Sequence, residues 1–343
     1  MPLPPGRKER GRSGAPRPHD HHAALRRLDS PLGLALGGGG ARGLCHIGVM
    51  RVLEELDIRP DLVAGTSMGG LVGAFIAAGY TAEQMTRVAG EVRWTSMIDW
   101  RISGRLLSGK RIAAWLSEHL PATFEELELP LVLATTDIVE GRLHYLSQGD
   151  LITALRATTA YPGVIPPVPA GDALLVDGGI LNQIPVDGAL ALGARRVVAV
   201  DATTLTPMSA PDIEADRYQR RHALGTLREA FRAIDVMQAQ LTAARLGFYR
   251  PDVLIDPPIA GVDIGDFHRS TIAIDSGEQA AREQADQLRA LAARRRRGVG
   301  PSVGAGSGTP GEVAGVVDAA GEDDGAARGQ PQHPGDQRRA PRP

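Results

Sequence analysis

A short apolar run, Asp61-Leu62-Val63-Ala64, enters Gly65-Thr66-Ser67-Met68-Gly69, and a small, apolar, helix-compatible run follows from Leu71 to Tyr80. Strand, Gly-x-Ser-x-Gly pentapeptide and helix in this order constrain the chain more than any other stretch. A turn this sharp holds its central residue in an unfavourable backbone conformation. Glycines two residues to either side let strand and helix approach each other. The Ser67 hydroxyl is then expected at the carboxyl end of a strand, with a helix amino terminus behind it. In isolation the pentapeptide reads as a Gly/Ser turn; in this setting Ser67 is a candidate nucleophile, with Gly65, Thr66, Met68 and Gly69 as its elbow.

One strand–helix unit earlier, Pro31 to Leu36 reads as a buried strand running into Gly37-Gly38-Gly39-Gly40-Ala41-Arg42-Gly43. Leu44, Ile47, Val52, Leu53 and Leu56 then recur at helical spacing. A loop of bare backbone at a helix amino terminus is suited to an anion. The run matches the dinucleotide fingerprint Gly-x-Gly-x-x-Gly, yet Asp57 and Asp61 precede the next strand, where that fingerprint wants an acid at its end. A phosphate loop of the Walker type needs a Gly-Lys-Ser/Thr that is missing here. The remaining anion is the oxyanion of an acyl-transfer intermediate. Gly38, Gly39, Gly40, Ala41, Arg42 and Gly43 are therefore the candidate oxyanion hole.

The chain has 343 residues, 43% hydrophobic and 23% charged, which suits one large α/β domain or two small ones. A net charge of −2 gives no overall field toward nucleic acid. The single cysteine, Cys45, rules out an intrachain disulfide and fits a reducing, cytoplasmic setting. No apolar run reaches the roughly 18–20 residues of a membrane span, and the polar, proline-rich start lacks the apolar core of a signal peptide. Residues 1–29 and 299–343, rich in Gly, Pro and Arg or Ala, are expected to be disordered tails around a domain at 30–298. His19, His21 and His22 read as a solvated patch of the first tail.

Between these limits the reading continues in order. Trp94, Met97, Ile98, Trp100, Ile102, Leu106, Leu107 and Trp115 give residues 81–125 an apolar, aromatic character. A helical subdomain with core tryptophans is the first reading; a cap meeting acyl chains or a membrane surface is the second. Strands are expected at Leu129–Thr135 and His144–Leu146, and a helix at Leu151–Thr159 that stops before Tyr161-Pro162. Ala173 to Val176 forms a strand ending at Asp177-Gly178-Gly179, with a carboxylate where an open α/β sheet binds ligands. Alone, Asp-Gly reads as an ordinary turn. A short helix at 186–193, a strand at Arg195–Val200, long helical segments from Ile213 to Gly247 and a strand at Val253–Asp256 follow. Ser276 is expected to cap a polar helix whose basic end, Arg294 to Arg297, reads as solvated.

A serine nucleophile needs a base. Among the histidines, His222 and His268 fit the order serine, acid, histidine. A carboxylate is the alternative. An exposed Asp, with a pKa of about 3.9, is a poor base for an alcohol, and burial would raise that value.

Taken together, Gly38-Gly39-Gly40-Ala41-Arg42-Gly43, Gly65-Thr66-Ser67-Met68-Gly69 and Asp177-Gly178-Gly179 resemble the motifs of the patatin-like phospholipases. The likeness extends through His46-Ile47-Gly48-Val49, Ala77-Ala78-Gly79-Tyr80, Pro162 and Pro166-Pro167, over roughly residues 31–295. It is nearest to the bacterial group similar to the neuropathy target esterase catalytic domain. The resemblance implies an α/β fold, a three-layer α/β/α sandwich with a mostly parallel sheet. It implies hydrolysis of phospholipid or lysophospholipid acyl esters by a dyad of Ser67 and Asp177, with Gly178 and Gly179 completing the second motif. Neither metal nor cofactor is expected. The expected partner is a lipid ester, met by a cytoplasmic protein with peripheral membrane contact. A triad esterase using His268 and a non-catalytic lipid-binding module of the same fold are the alternatives. Tyr161 stands where a smaller residue is expected.

Overall fold

A computed structural model describes residues 25, 28–92, 109–203, 223–259 and 261–296. Strand β1 (Leu32–Leu36) explains the layering. Its sequence Leu-Gly-Leu-Ala-Leu turns Leu32, Leu34 and Leu36 into one core and Ala35 into a second on the other face of the sheet, as period-two alternation requires. The same division recurs in β2 (Leu62–Thr66), β3 (Leu131–Asp137) and β7 (Arg196–Val200). Val63, Leu131, Leu133, Val198 and Val200 face the first core, whereas Leu62, Ala64, Val132, Ala134, Val197 and Ala199 face the second. Strands buried on both faces read as continuous apolar runs, which is why these were legible.

Eight strands form one sheet in the order β5-β6-β3-β2-β1-β7-β8, with β4 (Arg142–Leu146) on β3. β3, β2, β1, β7 and β8 (Val253–Ile255) are parallel. β4, β5 (Val168–Ala170) and β6 (Ala173–Asp177) are antiparallel additions at one side. The first core lies under α1 (Cys45–Glu55), α2 (Met68–Ala77), α3 (Ala82–Glu91), α4 (Gly109–His119) and α5 (Leu151–Thr158). The second packs beneath α6 (Val186–Leu192) and the far end of α7 (Ala223–Phe248), whose Leu246 borders it. The result is the expected three-layer α/β/α sandwich with a mostly parallel sheet. Among the described residues no helix is long and apolar enough to cross a membrane.

The carboxyl-terminal helices differ from expectation. Ser276 lies inside α8 (Ser270–Glu283) rather than at its start. Gly277 follows it within the same helix. It is there because α8 crosses α1 in backbone contact: a Cβ on Gly277 would lie 2.0 Å from the Cys45 carbonyl oxygen, and one on Gly48 would lie 1.9 Å from that of Ile274. The basic end of α9 (Ala285–Arg296) is not merely solvated, since Arg295 pairs with Asp61, which also accepts the Leu32 N–H at 2.7 Å. Trp115 stacks on His119 at 4.7 Å between ring centroids and borders the first core through Phe75, in keeping with a core role. Trp94, Met97, Ile98, Trp100, Ile102, Leu106 and Leu107 lie outside the described residues, as do residues 1–24 and 297–343.

Candidate active site

Strand β3 has two neighbours on one edge. β2 runs parallel along its first half, pairing Thr66 with Ala134, and β6 runs antiparallel along its second half, pairing Asp177 with Thr135. Opposite directions bring the carboxyl ends of β2 and β6 to the same point, at consecutive residues of β3. Ser67 follows Thr66, so this register alone sets Ser67 beside Asp177.

Ser67 occupies the turn between β2 and α2 with φ 53° and ψ −125°. Its left-handed φ is sterically costly for a residue with a Cβ, on the order of 1–3 kcal/mol. The neighbours hold it there. The Ser67 N–H donates to Thr158 Oγ1 at 2.9 Å, its carbonyl accepts from Leu71 N–H at 3.0 Å, and Thr66 Oγ1 donates to the Asn182 carbonyl at 2.9 Å. At about 0.5–1.5 kcal/mol each, these bonds offset the strain. The flanking glycines are required by contact: a Cβ on Gly69 would fall 2.3 Å from the Leu36 carbonyl oxygen, and one on Gly65 2.4 Å from Gly70 Cα. Ser67 itself stays half-exposed while the rest of the elbow is buried.

Asp177 is 2% exposed. Burial pushes its carboxyl up to about 6, opposed by hydrogen bonds from the Ser67 side chain and the Gly179 N–H, the latter at 2.8 Å. The Asp177 N–H donates to the Ala160 carbonyl at 3.1 Å. Gly178 is confined against β3, where a Cβ would meet the Ala134 carbonyl oxygen at 2.2 Å.

The glycine loop passes against the nucleophile, and a Cβ on Gly38 would sit 3.1 Å from Ser67 Cβ. Its six residues are not equivalent. The Gly38 N–H donates to the Gln183 carbonyl at 3.1 Å, Ala41 to Ile264 at 2.9 Å and Arg42 to Gly39 at 3.2 Å. Gly43 lies inside the short helical turn Gly40–Leu44. The N–H groups of Gly39 and Gly40 have no acceptor among the described residues. His46 is buried and its Nε2 lies 2.7 Å from the Gly37 carbonyl, while desolvation pushes the ring down to about 4. A neutral ring can donate there and pin the loop's first peptide. Burial lowers the Arg42 guanidinium, opposed by Asp235, Asp263 and Asp201. Tyr161, half-buried near Asp235 and Asp177, is pushed up to about 12, chiefly by burial.

Two contributors escaped the sequence reading, Thr158 and His46, both of which read as parts of helices; the run Asn182-Gln183-Ile184-Pro185 reads as a shaped loop, and the structure shows what shapes it. The Asn182 Nδ2 donates to the Tyr145 hydroxyl at 2.7 Å and to Asp187 at 2.8 Å, and Asp187 is paired with Arg245 of α7 at 2.6 Å. This buried network fixes the loop after Asp177. Of the histidines offered as bases, His268 is exposed on a helical turn before α8 and His222 lies outside the described residues. Among the described residues no group of three or more His, Cys, Asp or Glu is disposed to hold a metal ion.

The chain is 35% identical over 211 residues to the lysophospholipase NTE1 of Mycosarcoma maydis, covering 57% of this chain and 11% of that protein. It is 32% identical over 275 residues to an uncharacterized NTE family protein of Mycobacterium tuberculosis, covering 73% of this chain and 46% of the relative. The chain thus spans less than half of either relative. The crystal structure of VipD from Legionella pneumophila shares the fold, with a TM-score of 0.50 at 14% identity over 76% of this chain and 67% of that one. Residues 34–190 match the family model described as patatin-like phospholipase, so this stretch of the chain is a patatin-like phospholipase domain.

Proposed function

We propose that the chain is a serine acyl hydrolase that cleaves carboxylic esters of phospholipids or lysophospholipids, with Ser67 as nucleophile and Asp177 as base. The observation that carries this reading is the buried Asp177 carboxyl set beside Ser67 by the register of β2 and β6 on β3. Raised to about 6, Asp177 is a stronger base than an exposed carboxylate and is still mostly ionised at neutral pH. Ser67 Oγ attacks the ester carbonyl as its proton passes to Asp177. The N–H groups of Gly39 and Gly40 and the amino terminus of α2 face the negative oxygen, an arrangement in which one donor is typically worth about 10²–10³-fold in rate. The bond to the alcohol breaks, and Asp177 returns the proton to it. Water then gives a proton to Asp177 and attacks the acyl-serine; the serine oxygen leaves with that proton and the fatty acid is freed.

The lipid class rests on the family and on the relative named as a lysophospholipase. Such substrates sit in or partition to membranes, so peripheral membrane contact belongs to this reading. The test is fatty-acid release from a panel of phospholipids and lysophospholipids by the wild type beside Ser67→Ala and Asp177→Asn. Both variants are expected to lose at least about 10³-fold in kcat. Release that persists in Ser67→Ala overturns the assignment. Lipid binding without turnover, and without fluorophosphonate labelling of Ser67, makes the chain a binding module instead.

A further inference from the structure

Thr158 closes α5 and is fully buried. A threonine near a helix end commonly bonds back to its own helix, as Thr159 does to the Leu155 carbonyl at 2.7 Å. Thr158 reaches across to another element. Its Oγ1 accepts the Ser67 N–H at 2.9 Å and donates to the Ala134 carbonyl at 2.6 Å. Ala134 is the β3 residue paired with Thr66. The side chain is wedged against the first turn of α2, with Cγ2 3.2 Å from where a Gly70 Cβ would lie. Two residues on, the Ala160 carbonyl accepts the Asp177 N–H at 3.1 Å. The end of α5 therefore holds the backbone amides of both Ser67 and Asp177.

We infer that Thr158 is a positioning residue: its hydroxyl fixes the backbone of Ser67 so that the serine side chain meets Asp177. The inference rests on the reading of Ser67 and Asp177 as the reacting pair. Two consequences follow from the contacts. The Ser67 N–H is engaged by Thr158, which leaves the oxyanion to Gly39, Gly40 and the amino terminus of α2. The two hydrogen bonds of the hydroxyl also couple the turn to β3, the strand whose register brings the acid alongside. A threonine that merely filled space would be replaced without loss by valine, which has the same shape and no hydroxyl.

The test compares Thr158→Val, Thr158→Ser and the wild type on a soluble p-nitrophenyl ester, with the rate of fluorophosphonate labelling at Ser67 and the thermal midpoint measured in parallel. Thr158→Val is expected to lower kcat and the labelling rate together, on the order of 10²-fold, with KM unchanged. Thr158→Ser, which keeps the hydroxyl, is expected to stay near the wild type on both. Should Thr158→Val fail to accumulate as folded protein, Thr158→Ala carries the same expectation. Wild-type kcat per folded molecule in the hydroxyl-free variant, or equal losses in the serine and valine variants, overturns the inference. A wild type that neither cleaves esters nor labels at Ser67 overturns the reading of the site and this inference with it; an active wild type with an equally active Thr158→Val overturns this inference alone.

Discussion

Ser67 and Asp177 stand at strand ends that meet at consecutive residues of β3, and their proximity is a consequence of strand register. Thr66 pairs with Ala134 and Asp177 with Thr135. A one-residue slip of β6 against β3 would turn the carboxyl to the opposite face of the sheet. The site is thus built into the ladder of the fold rather than carried on a free loop.

Activity should report the protonation of Asp177. A proton on its carboxyl removes the base, so kcat/KM should fall about tenfold per pH unit below the free enzyme's pKa, which burial places at about 6. Kinetics on a soluble ester between pH 4.5 and 8 check this. A profile flat down to pH 4.5 would show that the base is another group or an unperturbed carboxylate.

Stability should respond in the opposite sense. The folded-state value of about 6 lies above the ordinary 3.8. Between these pH values the folded chain keeps a proton that the unfolded chain has lost. The stability due to neutral Asp177 is complete below 3.8 and lost as pH rises through 6. Above that, the ionised carboxylate costs up to about 3 kcal/mol. Asp177→Asn should therefore be inactive yet melt several degrees higher than the wild type at pH 7.5, with the gap closing toward pH 4. Equal melting temperatures at both pH values would contradict the buried, strained-charge description.

The crossing of α1 and α8 should tolerate no side chain at Gly48 or Gly277. Alanine ordinarily favours a helix over glycine by about 1 kcal/mol. Here the added Cβ would meet a backbone carbonyl oxygen at 1.9 or 2.0 Å, which no rotamer change relieves. Overpacking of about 1–3 kcal/mol should win. Urea unfolding of Gly48→Ala and Gly277→Ala should show a net loss of stability; a gain would mean that the helices pack less closely.

How far the sequence revealed this follows from the range of each signal. The elbow, the glycine loop and Asp177-Gly178-Gly179 are local patterns, and the apolar strands are short runs buried on both faces, so both were legible. The strand Val168-Pro169-Ala170 was not, because three residues centred on a proline read as loop and only pairing with Ala173–Leu175 makes them a strand. The loop's donors could not be ranked, since the carbonyls that engage Gly38 and Ala41 belong to Gln183 and Ile264. Thr158 gave one faint signal, a pair of threonines, Thr158 and Thr159, at the end of a helix. Its partner amide lies in a different strand–helix unit, and spacing carries no trace of that.

The most direct test of the central claim is the rate of fluorophosphonate labelling at Ser67 in the wild type, Asp177→Asn and His268→Ala. The account predicts rapid labelling of the wild type, an equal rate in His268→Ala, and a fall of at least about 10²-fold in Asp177→Asn. Undiminished labelling in Asp177→Asn together with loss in His268→Ala would contradict it, and would move the base from the buried carboxylate to the exposed imidazole.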